Sequence, residues 1–386
     1  MNTTPLRASR FDQLGITLNN LPAIPLHTLI FHVTMMCNLQ CRHCWQRANL
    51  EDRHNTEDER RGIISPADFT RVLNESKDLG LGYVKFTGGE PFLHPYIMEY
   101  LDIADREKLS VVIETNGTLL DEDIIKKLKT INHLFISVSL DGATAKVHDR
   151  FRGVEGIFDQ TLATLEILNR FAIPVQIIMC LHQENVQELD DMVRLAAELG
   201  AQSVKINPVQ PIGRGQDFTQ GGYALSVMEL LQIADYCQKS LSLKFPGRLF
   251  FSLPIVFRPF TAIRDQRFAV CRILQILGLL PNGDISFCGV GNIDDSTVFG
   301  NIYKDNLAEL WHKAPFLLKL REHLPHALKG VCSRCIVKTV CLGECRAMAY
   351  EQTGDLMGPY WICQEAYDAG LFPASRLIPE HSEVYG

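Results

Sequence analysis

From Thr28 onward the chain repeats one unit, a short apolar, β-branched run followed by an amphipathic stretch. "TLIFHVT" precedes "SPADFTRVLNESKDLG", "YVKFTG" precedes a helical stretch at Pro95–Lys108, and "SVVIETN" precedes "DEDIIKKLKT". "HLFISVSL" precedes Gly156–Phe171, "VQIIMCL" precedes Val186–Leu199, and "SVKINPV" follows. Ser65, with Pro66 at the first helical position and Asp68 three residues on, predicts the start of the first helix, and Gly80 its end. Such alternation predicts a parallel sheet. Six strands in this rhythm fit an open, partial (β/α)6 barrel of the TIM type better than a closed eight-fold one. A doubly wound sheet also accommodates them, and periodicity does not separate the two. In either architecture the loops after the strand C-termini build the active site.

Those loops carry the chemistry. After the first strand comes "CNLQCRHCW", which places Cys37, Cys41 and Cys44 in one short segment. "GGEP" follows the second strand, "TNG" the third, and "SLDG" ends the fourth. A disulfide framework or a structural zinc site favours an even set of thiols. A four-iron, four-sulfur cube has four corners, so three thiolates leave one iron open to an outside ligand. His43 lies inside the triplet and is either a further ligand or, better, packed against the loop. Twelve cysteines in a chain without a signal-peptide core read as metal ligands before disulfides. The same absence, with no apolar run long enough to span a bilayer, predicts a cytoplasmic protein with no membrane segment. A net charge of −7 without a basic run argues against a nucleic-acid partner.

C-x3-C-x2-C after a first strand, with "GGEP" after the second, resembles the radical S-adenosylmethionine (SAM) enzymes, over about Thr28 to Val209. The resemblance implies that the open iron chelates SAM, and that one electron from the cube cleaves it to a 5′-deoxyadenosyl radical that abstracts hydrogen from a substrate. It implies that Gly88, Gly89, Glu90 and Pro91 form the turn meeting the SAM ammonium. Thr115, Asn116 and Gly117 would lie beside SAM, and Ser139 would contact its ribose or carboxylate. Arg152, in "HDRFR", would pair with the carboxylate. Arg150 competes for that role, because the spacing from Ser139 is one residue longer than in similar chains. A surface ion pair is the other reading of Arg152. A flavodoxin- or ferredoxin-type electron donor is implied as a partner.

The second half reads C-x11-G-x4-C, then C-x2-C-x5-C-x3-C, then one further cysteine. A zinc ribbon explains only the two closest pairs. The ordered set resembles the SPASM domain, an auxiliary-cluster extension of radical SAM enzymes, over about Cys271 to Pro373. The resemblance implies two auxiliary clusters, expected to be [4Fe-4S]. Cys332, Cys335, Cys341 and Cys363 would hold one completely; Cys271, Cys288 and Cys345 would hold the other, with its fourth ligand undefined. The expected organisation is therefore an N-terminal extension (1–27), a barrel (28–245), a bridge (246–270), a SPASM domain (271–375) and a tail (376–386). The charged loop at 49–62 is expected on the surface, and "PVQPIGRGQDFTQGG" over the barrel mouth. Cys180 and Cys237 are expected to pack in the core.

Chains similar in this tail mostly modify ribosomally made peptides, so the resemblance implies an oxidative peptide maturase. The 36 residues before Cys37 are too few for the leader-recognition domain many maturases carry, which calls for a separate leader-binding protein or direct binding. That keeps open the tailoring of a tetrapyrrole or other small cofactor, and maturation of a sulfatase-type protein. A non-catalytic iron–sulfur carrier is the rival outside enzymes, and it would have no use for "GGEP".

Overall fold

The computed structural model describes residues 24–46, 63–245, 247–265, 270–290 and 295–379. The charged loop at 49–62, most of the N-terminal extension and residues 380–386 of the tail lie outside these. All six expected strands form: β1 (Thr28–His32), β2 (Tyr83–Thr87), β3 (Ser110–Thr115), β4 (Leu134–Ser139), β5 (Val175–Leu181) and β6 (Ser203–Pro208). Each pairs in parallel with the next. Because strand order follows chain order, every right-handed crossover steps the same way and returns on the same face. That makes a barrel wall. A doubly wound sheet would reverse its order at a switch point.

The wall extends at both ends. β7 (Arg248–Phe251) pairs in parallel with β6, so the expected bridge supplies a further strand. On the other side β8 (Ile276–Leu279) pairs in parallel with β1, and β9 (Asp284–Ser286) and β10 (Val298–Asn301) follow antiparallel. The ten-stranded sheet runs β10-β9-β8-β1-β2-β3-β4-β5-β6-β7 and stays open. Gly283, the glycine of C-x11-G-x4-C, lies in the β8–β9 turn at φ +86°, a left-handed conformation that side chains disfavour.

The helices are α1 (Pro66–Ser76), α2 (Ile97–Arg106), α3 (Glu122–Leu128), α4 (Ala145–Arg152), α5 (Ile157–Arg170) and α6 (Leu189–Glu198). Ser65 caps α1 as expected, its hydroxyl accepting from the Asp68 amide at 3.1 Å. Alternate strand residues face the helices and are apolar: Val111 and Ile113 on β3, Ile177 and Met179 on β5, Val204 and Ile206 on β6, all fully buried. Phe31, Phe69, Phe86 and Tyr100 pack together beneath α1 and α2, with ring centroids 5.1–6.0 Å apart. The opposite parity carries Thr87, Glu114, Ser139, Cys180, Lys205 and Asn207, which line the interior. Among the described residues no helix is long and apolar enough to cross a membrane.

Candidate active site and iron-binding regions

The segment Cys37–Cys44 leaves β1 and is tied down on three sides. From β2, the Gly89 amide donates to the Thr34 carbonyl at 2.8 Å and the Glu90 amide to the Met36 carbonyl at 2.7 Å. At α4, the Gln40 and Arg42 amides donate to the carbonyls of Arg152 (3.1 Å) and Phe151 (2.9 Å). After β6, the Arg214 amide reaches the Cys44 carbonyl at 3.0 Å and its Nε the Cys41 carbonyl at 2.8 Å. The glycine pair of "GGEP" follows from this closeness. A Cβ on Gly89 would lie 1.9 Å from the Met36 carbonyl oxygen.

Glu90 is fully buried. Its Oε1 accepts from the Thr115 hydroxyl at 2.7 Å and the Phe92 amide at 3.2 Å, and its Oε2 from the Asn116 amide at 2.8 Å. Burial pushes this carboxyl's pKa up while those donors pull it back. Gly88, Gly89, Asn116, Ser139 and Arg152 line a cavity of about 420 Å³ together with Cys37, Cys41 and Cys44; Glu90 and Pro91 stand behind that lining. Here Glu90 braces the turn against the end of β3. Asn116 is held in place by the Asn38 side chain, to which its Nδ2 donates at 2.8 Å.

Arg152 and its competitor part company. Arg150 is exposed and pairs with Glu184 at 2.7 Å. Arg152 is buried, its Nε 2.5 Å from Asp141 Oδ2 and its Nη1 3.6 Å from Cys41 Sγ. This is a buried ion pair in the cavity wall, where the sequence left a surface pair open. Asp141 also accepts from the Cys180 amide at 2.6 Å. His43 lies flat on Phe151, centroids 4.3 Å apart, and burial holds its pKa well below the ordinary range. Cys237 packs in the core, 3% exposed. Cys180 packs against the small cluster of Phe151, Val209 and Phe218 and also lines the cavity, because its parity on β5 turns it inward.

In the second half, Cys332, Cys335, Cys341 and Cys363 wall one small pocket, closed otherwise by Val256, Val331, Val337 and Phe372, with Lys338 at its side. Among the described residues no three His, Cys, Asp or Glu side chains converge as ligands of a single ion. A four-thiolate zinc site needs its sulfurs about 2.3 Å from one centre. Four thiols around one pocket match the four corners of a four-iron cube in number. Cys345 faces the other way, into the large cavity, beside Met348 and Tyr360. Burial pushes the thiols of Cys37 and Cys271 up to about 12, so loading iron there must displace protons.

Several residues of this site were not singled out from the sequence. Arg346 is fully buried, and its guanidinium donates to the carbonyls of Gly343, Leu356 (2.9 Å) and Gly358 (2.7 Å). It lies in the field of Cys271, Cys332, Cys341 and Cys345, thiols from both expected sets. Gln210, after β6, accepts from Tyr360 Oη at 3.2 Å and Trp361 Nε1 at 3.1 Å, tying the barrel mouth to the tail. Arg214 opens a short helix, Arg214–Gln220, in what read as a loop. Lys85, Glu114 and Lys205 had a signal: each is a charge inside a β-branched run.

Comparison with known proteins agrees with this arrangement. The radical SAM superfamily profile matches residues 31–196, and the SPASM iron-sulfur cluster-binding domain matches 271–336. An AdoMet-dependent heme synthase from Methanosarcina barkeri is 30% identical over 362 residues, 90% of this chain and 98% of that one. The mycofactocin maturase MftC of Mycolicibacterium smegmatis is 27% identical over 356 residues, 92% of this chain and 86% of that one. Streptococcus suis SuiB, solved bound to precursor peptide SuiA, superposes with a TM-score of 0.71 at 19% identity, covering 89% of this chain and 77% of that one. With the cysteine loop, the glycine turn that grips it and a second thiol-rich region all on one barrel, the chain belongs to the radical SAM superfamily, as a SAM-dependent iron–sulfur enzyme with a SPASM domain.

Proposed function

We propose that the protein is an oxidative maturase that modifies a ribosomally synthesised peptide held between two iron sites. One observation carries this: Cys37, Cys41 and Cys44 line the same cavity as Cys345. Bound there, an iron–sulfur cluster with SAM supplies a hydrogen-abstracting radical, and an auxiliary cluster beside Cys345 supplies an acceptor for the electron the substrate must then lose. The chain's own part is to fix that geometry. Gly88 and Gly89 let the turn approach the cysteine loop, Asn116, Ser139 and Arg152 face the SAM position, and Asp141 neutralises Arg152 within the wall. Two auxiliary clusters are proposed, one on Cys332, Cys335, Cys341 and Cys363 and one on Cys271, Cys288 and Cys345. The reconstituted enzyme should then hold about twelve irons, and about four would contradict it. A flavodoxin- or ferredoxin-type donor would supply the reducing electron.

Peptide modification is supported by the likeness to MftC along most of both chains. The heme synthase, matched over nearly its whole length, supports tetrapyrrole tailoring as a second reading. The deciding measurement is the intact mass of a short peptide encoded beside this gene, after anaerobic co-expression with the enzyme. Loss of two hydrogens or of a larger fragment supports the first reading. An unchanged mass at full iron loading, with decarboxylation of an added propionate-bearing porphyrin, replaces it with the second.

A further inference from the structure

Inside the barrel, one charged side chain stands outside the direct ion pairs. Lys85 Nζ lies 2.7 Å from Glu114 Oε1, an ion pair between β2 and β3. Lys205, on β6, lines the same cavity and makes no hydrogen bond or ion pair with any described residue. Its ammonium feels Lys85 as a repulsion and Glu114 and Glu344 as weaker attractions. Glu114 is thus taken up by Lys85, and among the described residues Lys205 has no carboxylate within ion-pair distance. Asn207 lies on the same face of β6, about 7 Å along the strand, and offers an amide beside it. The Arg152 charge is already met by Asp141, which leaves Lys205 as the cavity-lining cation without a direct ion pair among the described residues.

We infer that Lys205 is the anchor for a carboxylate of the substrate, with Asn207 beside it, fixing how the substrate lies between Cys41 and Cys345. The inference rests on reading the cavity as the substrate chamber. A peptide's acidic side chain or C-terminus and a porphyrin propionate offer the same chemistry, an ionised carboxylate matched to an ammonium.

The test is carbamylation of Lys205 by cyanate in the iron-loaded enzyme, with and without SAM, quantified by peptide mass mapping. Burial lowers the pKa of this amine, which favours its reaction near neutral pH. The probes are a glutamate-containing hexapeptide amide with its glutamine counterpart, the same hexapeptide with a free C-terminus, and mesoporphyrin IX with its dimethyl ester. Protection of at least fivefold by a carboxylate form, and not by its neutral counterpart, is expected, and the protecting probe identifies the source. Lys205→Met should weaken that probe's binding at least tenfold and Lys205→Arg restore it to within about threefold. Equal protection by neutral analogues, protection by none, or protection by SAM alone would overturn the inference. So would Lys205 failing to react where surface lysines do. Formation of 5′-deoxyadenosine on reduction, measured in the same preparation, tests the radical reading separately. Carboxylate protection without it would leave Lys205 as an anchor and remove the proposed activity.

Discussion

At the scale of single residues, the contrast between two neighbouring arginines decides what each contributes. Arg152→Ala would leave Asp141, which is fully buried, facing no cation. Breaking one partner out of such a pair costs about 3–5 kcal/mol. Arg150→Ala removes an exposed pair with Glu184 and should cost less than about 1 kcal/mol. Urea unfolding of the two variants side by side checks both values. The sequence named Arg152 only through its resemblance, and left the burial of its partner unread. "SLDG" shows an aspartate at a strand end, but nothing local says that its carboxyl turns into the wall. The helix bearing Arg152 was also silent to periodicity. Its buried positions are His148, Phe151 and Arg152, so the inward face of α4 is mostly polar and gives no apolar stripe.

Elements are where the site becomes rigid. Gly89→Ala would drive a methyl group against the Met36 carbonyl, a clash with backbone on both sides. The expected result is loss of about four irons from the reconstituted protein, with SAM cleavage, while the tail keeps its own. Iron analysis and 5′-deoxyadenosine formation, measured together, check it. The connection after β6 holds two regions at once, gripping the cysteine loop through Arg214 and the tail through Gln210. Gln210→Leu would leave Tyr360 Oη and Trp361 Nε1 without their acceptor, at about 1–3 kcal/mol. It should speed hydrogen exchange in the helix Trp361–Asp368, which follows that contact, and leave β1–β4 unchanged. The strands themselves were legible: β5 occupies the residues its apolar run predicted. β7 and β8 were not singled out; "RLFF" is only four residues long, and the partner that makes "ILGL" into a strand, β1, lies far away in sequence.

Across the whole molecule, buried imidazoles set a pH limit. His94, His148 and His182 each accept a backbone amide at Nδ1, from Tyr96, Asp141 and Glu184 respectively, which requires the neutral ring. Burial holds His32 and His94 down to about 4, and His148 and His182 to about 3. The folded values lie below the ordinary 6.5, so the contribution is complete above pH 6.5 and is lost as pH falls towards 4. Each group that the unfolded chain protonates and the folded chain does not adds a slope of about 1.4 kcal/mol per pH unit. Anaerobic urea midpoints between pH 7.5 and 4.5 should therefore fall steeply below pH 6.5. A flat profile would mean that these rings accept protons without unfolding.

β1 has two neighbours, and they emerge from the ribosome at very different times. β2 begins at Tyr83, but β8, which covers the other edge, begins at Ile276. At ordinary rates of translation, of about 5–20 residues per second, the chain between β1 and β8 takes roughly 10–50 s to appear. Throughout that interval the strand leading into Cys37 keeps one open edge, a template for pairing with other nascent chains. Shaping of the cysteine loop is thus set against the clock of synthesis, since the strand behind it is closed only by residues translated about 240 residues later.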